Sequence, residues 1–104
     1  MTKEEFEKHI MTFGEEAEAL LWAKMKEYAP GDDCVANFKR ASVRLGVSPM
    51  QAWGLYLMKH MESVLTYAKT GQSHCNETIR SRLLDIYNYC LLGSALAEDT
   101  FNGQ

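Results

Sequence analysis

The sequence has little of what marks secreted, membrane or fibrous proteins. It contains 2 prolines, 7 glycines and 3 cysteines among 104 residues, and no low-complexity segment. Its apolar runs extend over only a few residues, too few to span a bilayer. The acidic start, TKEEFEKH, lacks the basic and apolar regions of a secretory signal. The sequence therefore predicts a cytoplasmic protein.

The cysteines and the net charge indicate the cellular compartment and the type of protein. Cys34, Cys75 and Cys90 are odd in number and widely spaced, which favours free thiols in a reducing compartment over a disulfide framework. A net charge of -3 argues against general nucleic-acid binding. With 46% hydrophobic and 24% charged residues, the chain is typical of one globular domain. A domain of this size gains stability from self-association, so we expect a homo-oligomer.

Helix signals divide the chain into four segments. A capping box opens the first, and Pro30-Gly31 ends it. Gly14 lies inside this segment, at a position where the helix can kink or break. Gly46 ends the second segment, and Ser48-Pro49 opens the third. We predict an all-α compact bundle of about four helices, at 1–28, 33–45, 49–70 and 77–98, with Asp32 or Asp33 and Asn76 as the caps of the second and fourth.

The fourth helix is apolar on almost every face, which predicts a position inside the bundle, with Cys90 in the core. Yet Arg82, Asp85 and Asn88 occur within it, three residues apart and so roughly along one line of the helix. A carboxylate in apolar surroundings needs a cation, a metal ion or hydrogen-bond donors, or else it takes up a proton. The partner of Asp85 is therefore the functional question.

The third and fourth helices are joined by a short loop, which predicts antiparallel packing. Their middles would then lie level, bringing Lys59, His60 and Glu62 opposite Asp85 and Asn88. A histidine in such a stripe is either a core residue or a ligand, and Lys59 either reaches solvent or faces a ligand.

Two other charged groups have alternative interpretations. Glu15 and Glu18 lie one helical turn apart, so they either form a solvated face or share a divalent cation. Arg40 and its basic neighbours on the second helix either keep it soluble or face phosphates.

Residues 26–98 resemble a group of short, mostly phage-encoded proteins related to the MazG-like nucleoside triphosphate pyrophosphohydrolases. Four segments carry the resemblance: Tyr28 with Gly31-Asp32, Asn37-Phe38-x-Arg40, Lys59-His60, and Leu84-Asp85-Ile86-x-Asn88-Tyr89. The resemblance implies an all-α bundle in a MazG-like arrangement that binds a nucleotide, holds Mg²⁺ with acidic residues and releases pyrophosphate.

In that family an E-x-x-E pair and an E-x-x-D pair hold the metal. Asp85 matches the final aspartate, but Arg82 lies three residues before it, and Lys59 and Glu62 lie where a carboxylate pair is expected. The resemblance therefore favours nucleotide binding over hydrolysis.

Two hypotheses follow. In the first, Asp85 holds Mg²⁺ with Glu62 or Glu18, Asn88 and His60 orient the ligand, and basic residues face its phosphates, namely Arg40, Lys59, Arg80 and Arg82. In the second, the chain is a non-catalytic interaction or scaffold protein that acts as an oligomer. There Arg82 pairs with Asp85, and Asn88 bonds across the bundle to fix its register.

Overall fold

The computed structural model describes residues 1–73 and 77–101, which form four helices. They are α1 (Lys3–Tyr28), α2 (Ala36–Leu45), α3 (Pro49–Thr70) and α4 (Ile79–Phe101). Strands are absent from these two ranges, and the predicted all-α fold is confirmed. None of the four helices is long and apolar enough to cross a membrane.

The ends of α2 and α3 have the predicted chemistry. The Ser48 hydroxyl accepts the Gln51 backbone N–H at 3.1 Å, and the Gln51 side chain accepts the Ser48 backbone N–H at 2.9 Å. Gly46 and Gly71 end α2 and α3 with φ of 69° and 72°, in the left-handed region that glycine adopts without strain.

Two helices begin later than predicted. The Asp33 carboxylate accepts the Val35 backbone N–H at 3.1 Å in a local turn, so α2 starts only at Ala36. Before α4, the Thr78 hydroxyl accepts the Ser81 backbone N–H at 3.1 Å, as a capping residue does. The predicted cap, Asn76, lies outside the described residues.

Helix α1 runs unbroken through Gly14. A Cβ at this position would lie 3.3 Å from the Tyr87 hydroxyl, so the glycine permits a close approach to α4 rather than a kink. Nearby, Ala17 is fully buried and its carbonyl accepts a hydrogen bond from Asn88 of α4. A small residue thus marks the point where α1 crosses α4.

Helices α3 and α4 form an antiparallel hairpin, as predicted. Near one end the His60 ring approaches Arg82, and near the other Trp53 donates its indole N–H to the Tyr89 carbonyl at 2.8 Å. A Cβ at Gly93 would overlap the Trp53 ring, so the glycine makes room for the indole. Around this contact lies the core of Val35, Phe38 and Leu96, which joins α2 to the hairpin.

The hairpin has two sides, and one contradicts the prediction of a fully enclosed α4. Helix α1 and α2 cover the first side. The second, the outer face, consists of six large apolar side chains, all between 41% and 63% exposed: Met58, Met61, Leu65, Leu83, Tyr87 and Leu91. Cys90 lies among them and is also exposed rather than in the core. The prediction was wrong here because α1, α2 and α3 contact α4 on its other faces, which leaves this face open.

Candidate ligand-binding cavity

A cavity of about 380 Å³ opens on the covered side of the hairpin, within the usual range of small-molecule sites. All four helices contribute to its wall, as does the segment before α4. The lining residues are Leu21, Lys24, Met25, Tyr28, Cys34, Asn37, Tyr56, Lys59, His60, Glu77, Asp85, Asn88, Tyr89 and Leu92. Lys59 and His60 thus lie in one wall with Asp85 and Asn88, as predicted, whereas Glu62, which was predicted beside them, does not line the cavity.

Asp85 finds its cation on α1. Its side chain is only 8% exposed, and Oδ1 lies 2.7 Å from Lys24 Nζ. Lys24 remains 47% exposed, so its ammonium reaches from solvent to the buried carboxylate. This ion pair joins α1 to α4 and answers the question raised by the sequence, since Arg82 is not the partner of this oxygen.

His60 lies beside the same carboxylate but is a neutral side chain at pH 7. Burial lowers its pKa below the ordinary 6.5, and this outweighs the upward effect of Asp85, whose Oδ2 lies 3.8 Å from Nδ1. Arg82 Nη1 lies 3.5 Å from the same Nδ1, and arginine can only donate. We therefore assign the imidazole proton to Nε2.

Arg82 is held by the segment that precedes α4. Its Nε lies 3.1 Å from Glu77 Oε2, and the arginine side chain is 16% exposed. The cavity carboxylates thus both have cationic partners, Lys24 for Asp85 and Arg82 for Glu77.

Among the residues that the structure describes, Lys59 is the one cation of the cavity wall without a carboxylate partner. Within residues 1–73 and 77–101 its ammonium forms no ion pair. Because Lys24 pairs with Asp85 and Arg82 pairs with Glu77, Lys59 gives the described wall an excess positive charge. Such a site favours an anionic ligand.

Three tyrosines supply the aromatic part of the wall, Tyr28, Tyr56 and Tyr89. Phe38 packs beneath two of them, with ring centroids 6.0 Å from Tyr56 and 6.2 Å from Tyr89. The His60 ring lies 5.0 Å from Tyr89 on its other side. Burial raises the pKa of Tyr89, so its hydroxyl remains a hydrogen-bond donor at neutral pH.

Asn88 joins two helices at the cavity wall. The residue is 5% exposed, and its Nδ2 donates to the Ala17 carbonyl at 2.9 Å. This bond crosses the bundle, as the scaffold hypothesis predicts. Its Oδ1 is buried and accepts no hydrogen bond from the part of the chain that the structure describes.

The remaining predicted site residues lie outside the cavity wall. Glu18 and Glu62 are exposed, on α1 and α3, and neither lines the cavity with Asp85. Arg40 donates to the Tyr28 carbonyl at 2.8 Å and so caps the end of α1. Arg80 pairs with Glu16, and its guanidinium lies 5.3 Å from the Phe13 ring centroid.

The positions of the acidic side chains determine whether the protein can hold a Mg²⁺ ion beside Asp85. The ion prefers six oxygen ligands in near-octahedral geometry. The described residues contain no group of three or more His, Cys, Asp or Glu side chains arranged to hold a metal. Asp85 Oδ1 is also occupied by the Lys24 ammonium. The donor set near Asp85 therefore does not fit a protein-held Mg²⁺.

Sequence reasoning missed Lys24 and the role of the tyrosines. Lys24 is seven residues after Ala17 and four before Tyr28, on the apolar stripe of α1. A lysine at that spacing lies on the face of α1 that packs against the bundle. This spacing was the sequence signal that could have predicted a role for Lys24 in the cavity.

No family model, curated protein or solved structure matches this chain.

Proposed function

We propose that the protein is a cytoplasmic, MazG-like nucleotide-binding protein of phage type and that its ligand occupies the cavity between α1 and the hairpin. One observation carries the proposal: the wall combines an unneutralised cation, Lys59, with three tyrosines in a space of about 380 Å³. A nucleotide has the complementary parts, an anionic phosphate chain and a flat aromatic base.

In the proposed complex the phosphates lie against Lys59 and the base against the tyrosines. The ammonium acts as a point charge for phosphate oxygens. Tyrosine rings offer π-faces for a base, and the protonated Tyr89 hydroxyl offers a donor. Lys24 and Arg82 stay with their carboxylates and keep those negative charges from repelling the ligand.

The proposal is binding or sequestration rather than hydrolysis. Hydrolysis of the MazG-like type needs several carboxylates around Mg²⁺, whereas Asp85 here is paired with Lys24. We propose that Mg²⁺ enters with the phosphates of the nucleotide and is not held by the protein alone.

Calorimetry with a panel of nucleoside mono- and triphosphates, each with Mg²⁺, tests this proposal. We expect Lys59→Met to weaken binding at least about tenfold, equivalent to about 1.4 kcal/mol. Lys69→Met is the matched control, because Lys69 is exposed in the last turn of the same helix. Failure of the wild type to bind any nucleotide, or equal affinity of the Lys59 variant, would overturn the proposal.

A second candidate function rests on a different observation. The outer face is large and apolar, and such patches on a protein surface mark interaction sites. We propose on this ground that the chain acts as an oligomeric interaction protein, which is compatible with a ligand in the cavity on the opposite side.

A further inference from the structure

We infer that the outer face of the hairpin is the contact surface of a homodimer, in which a second copy of the chain packs its own outer face against the first. This inference concerns the side away from the cavity and does not depend on nucleotide binding. The proposed partner is a second copy of the same chain, and the proposed contact surface is the outer face alone.

The amount of exposed surface is the first reason. A folded monomer of 11.8 kDa is expected to expose about 5,900 Å². This chain exposes 7645 Å². The excess, on the order of 1,700 Å², exceeds the ~800 Å² that each partner buries in a standard interface.

The shape agrees with the surface. The radius of gyration is 15.4 Å, whereas a domain of this length is expected to have about 13 Å. The chain is therefore more extended than a compact domain of its length, in agreement with its large exposed surface.

The composition of α4 is the second reason. Its sequence is that of a helix enclosed on all sides, but α1, α2 and α3 leave one stripe of it open. The open stripe of α4 reads Leu83, Tyr87, Cys90, Leu91 and Ser94, with no charge. Alongside it, α3 presents Met58, Met61 and Leu65, also with no charge among them.

The size and symmetry of the face favour a second copy. Helices α3 and α4 have 22 and 23 residues, so two hairpins match in length and form a four-helix bundle when stacked about a two-fold axis. Charged residues, including Glu62 and Arg80, border the apolar strip as a polar rim. The face continues onto α1, because the Phe13 ring packs 5.7 Å from Tyr87.

Sedimentation equilibrium of the full chain tests the inference. We expect a species of twice 11.8 kDa that dissociates on dilution. Leu83→Glu and Met61→Glu, each placing a charge in the face, should weaken association at least about a hundredfold. Val43→Glu is the matched control, since Val43 is 84% exposed on α2, away from this face, and should leave the dimer intact.

A monomer at every concentration, or a dimer that survives both glutamate variants, would overturn the inference. Circular dichroism of each variant separates dissociation from unfolding.

The native cysteines provide a test that needs no change in the face. In a Cys75→Ser chain, a maleimide reagent should modify Cys34, which lines the cavity, faster than Cys90, which lies in the face, although both thiols are exposed in the single chain. Dilution should raise the rate at Cys90 and leave the rate at Cys34 unchanged. A Cys90 rate that does not change with concentration would contradict a covered outer face, even if the glutamate variants do not fold.

Discussion

The two sides of the α3–α4 hairpin differ in an unusual way: the side that faces the cavity buries polar groups, and the outer side exposes apolar ones. On the cavity side, charged and polar groups are buried: Asp85 and Asn88 are 7% and 5% exposed, and Asp85 Oδ1 and Asn88 Nδ2 have hydrogen-bond partners. On the outer side, large apolar side chains are half-exposed. Burying charged groups and exposing apolar ones both cost free energy in an isolated chain, and this cost is the ground on which we propose a ligand for one side and a second copy of the chain for the other.

The largest expected loss of stability comes from disturbing the contact between Gly93 and Trp53, which holds α3 and α4 together. Gly93→Ala places a Cβ inside the Trp53 ring, so we expect the free energy of unfolding to fall by about 2 to 3 kcal/mol. Urea denaturation followed by circular dichroism measures this.

The companion variant Trp53→Leu should make the Gly93→Ala penalty smaller, because the shorter side chain leaves room for the methyl group. Additive losses in the double variant would show that this close contact does not govern the stability of the hairpin.

A smaller loss of stability should distinguish the partly buried Lys24–Asp85 ion pair from the ion pairs at the surface. Lys24→Met leaves the Asp85 carboxylate buried without its cation, and we expect a loss of about 1 to 2 kcal/mol at pH 7. Lys39→Met removes a cation that bridges Asp33 and Asp99 at the surface, and it should cost less than Lys24→Met because solvent screens exposed ion pairs. Thermal denaturation of both variants, run at one protein concentration, makes the comparison. Equal losses would mean that burial of Asp85 adds nothing.

The smallest effect is the pH dependence of the cavity side. Burial lowers the pKa of His60 in the folded chain. As the pH falls below about 6.5, His60 is therefore protonated in the unfolded chain before it is protonated in the folded one. The contribution of His60 to stability is therefore fully present above that pH and is lost as the pH falls toward the lower pKa of the folded chain.

Urea denaturation at pH 7.5 and pH 5.5 measures this change in stability. His60→Gln should reduce it, while His9→Gln, at a position on α1 far from Asp85, serves as the control. A His60→Gln chain with the full pH dependence would exclude this histidine as the source.

The sequence predicted the parts of this structure that depend on local chemistry. Ser48, Gly46 and Gly71 carry their own start and stop signals, and the short loop after α3 dictates the antiparallel hairpin. From that pairing follows the meeting of His60 with Asp85. The start of α4 shows the limit of such signals, because Thr78 makes a capping hydrogen bond two residues after the predicted cap.

The sequence could not predict contacts between elements far apart in the chain. Lys24 and Asp85 are 61 residues apart, and their pairing depends on the angle at which α1 crosses α4. Glu18 has suitable spacing for a metal ligand, but spacing along one helix does not determine which side faces the cavity. Similarly, an apolar stripe indicates burial without saying whether the covering surface belongs to the same molecule.

Ala17 has a consequence for the dimensions of the ligand site. The separation of two packed helix axes, usually 8–10 Å, depends on the side chains at their crossing point. Because Ala17 is fully buried there, its single methyl group acts as the spacer between α1 and α4. The width of the cavity therefore depends on a residue that is not part of its wall, so a change at Ala17 would alter the space for the proposed ligand without any change in the lining residues.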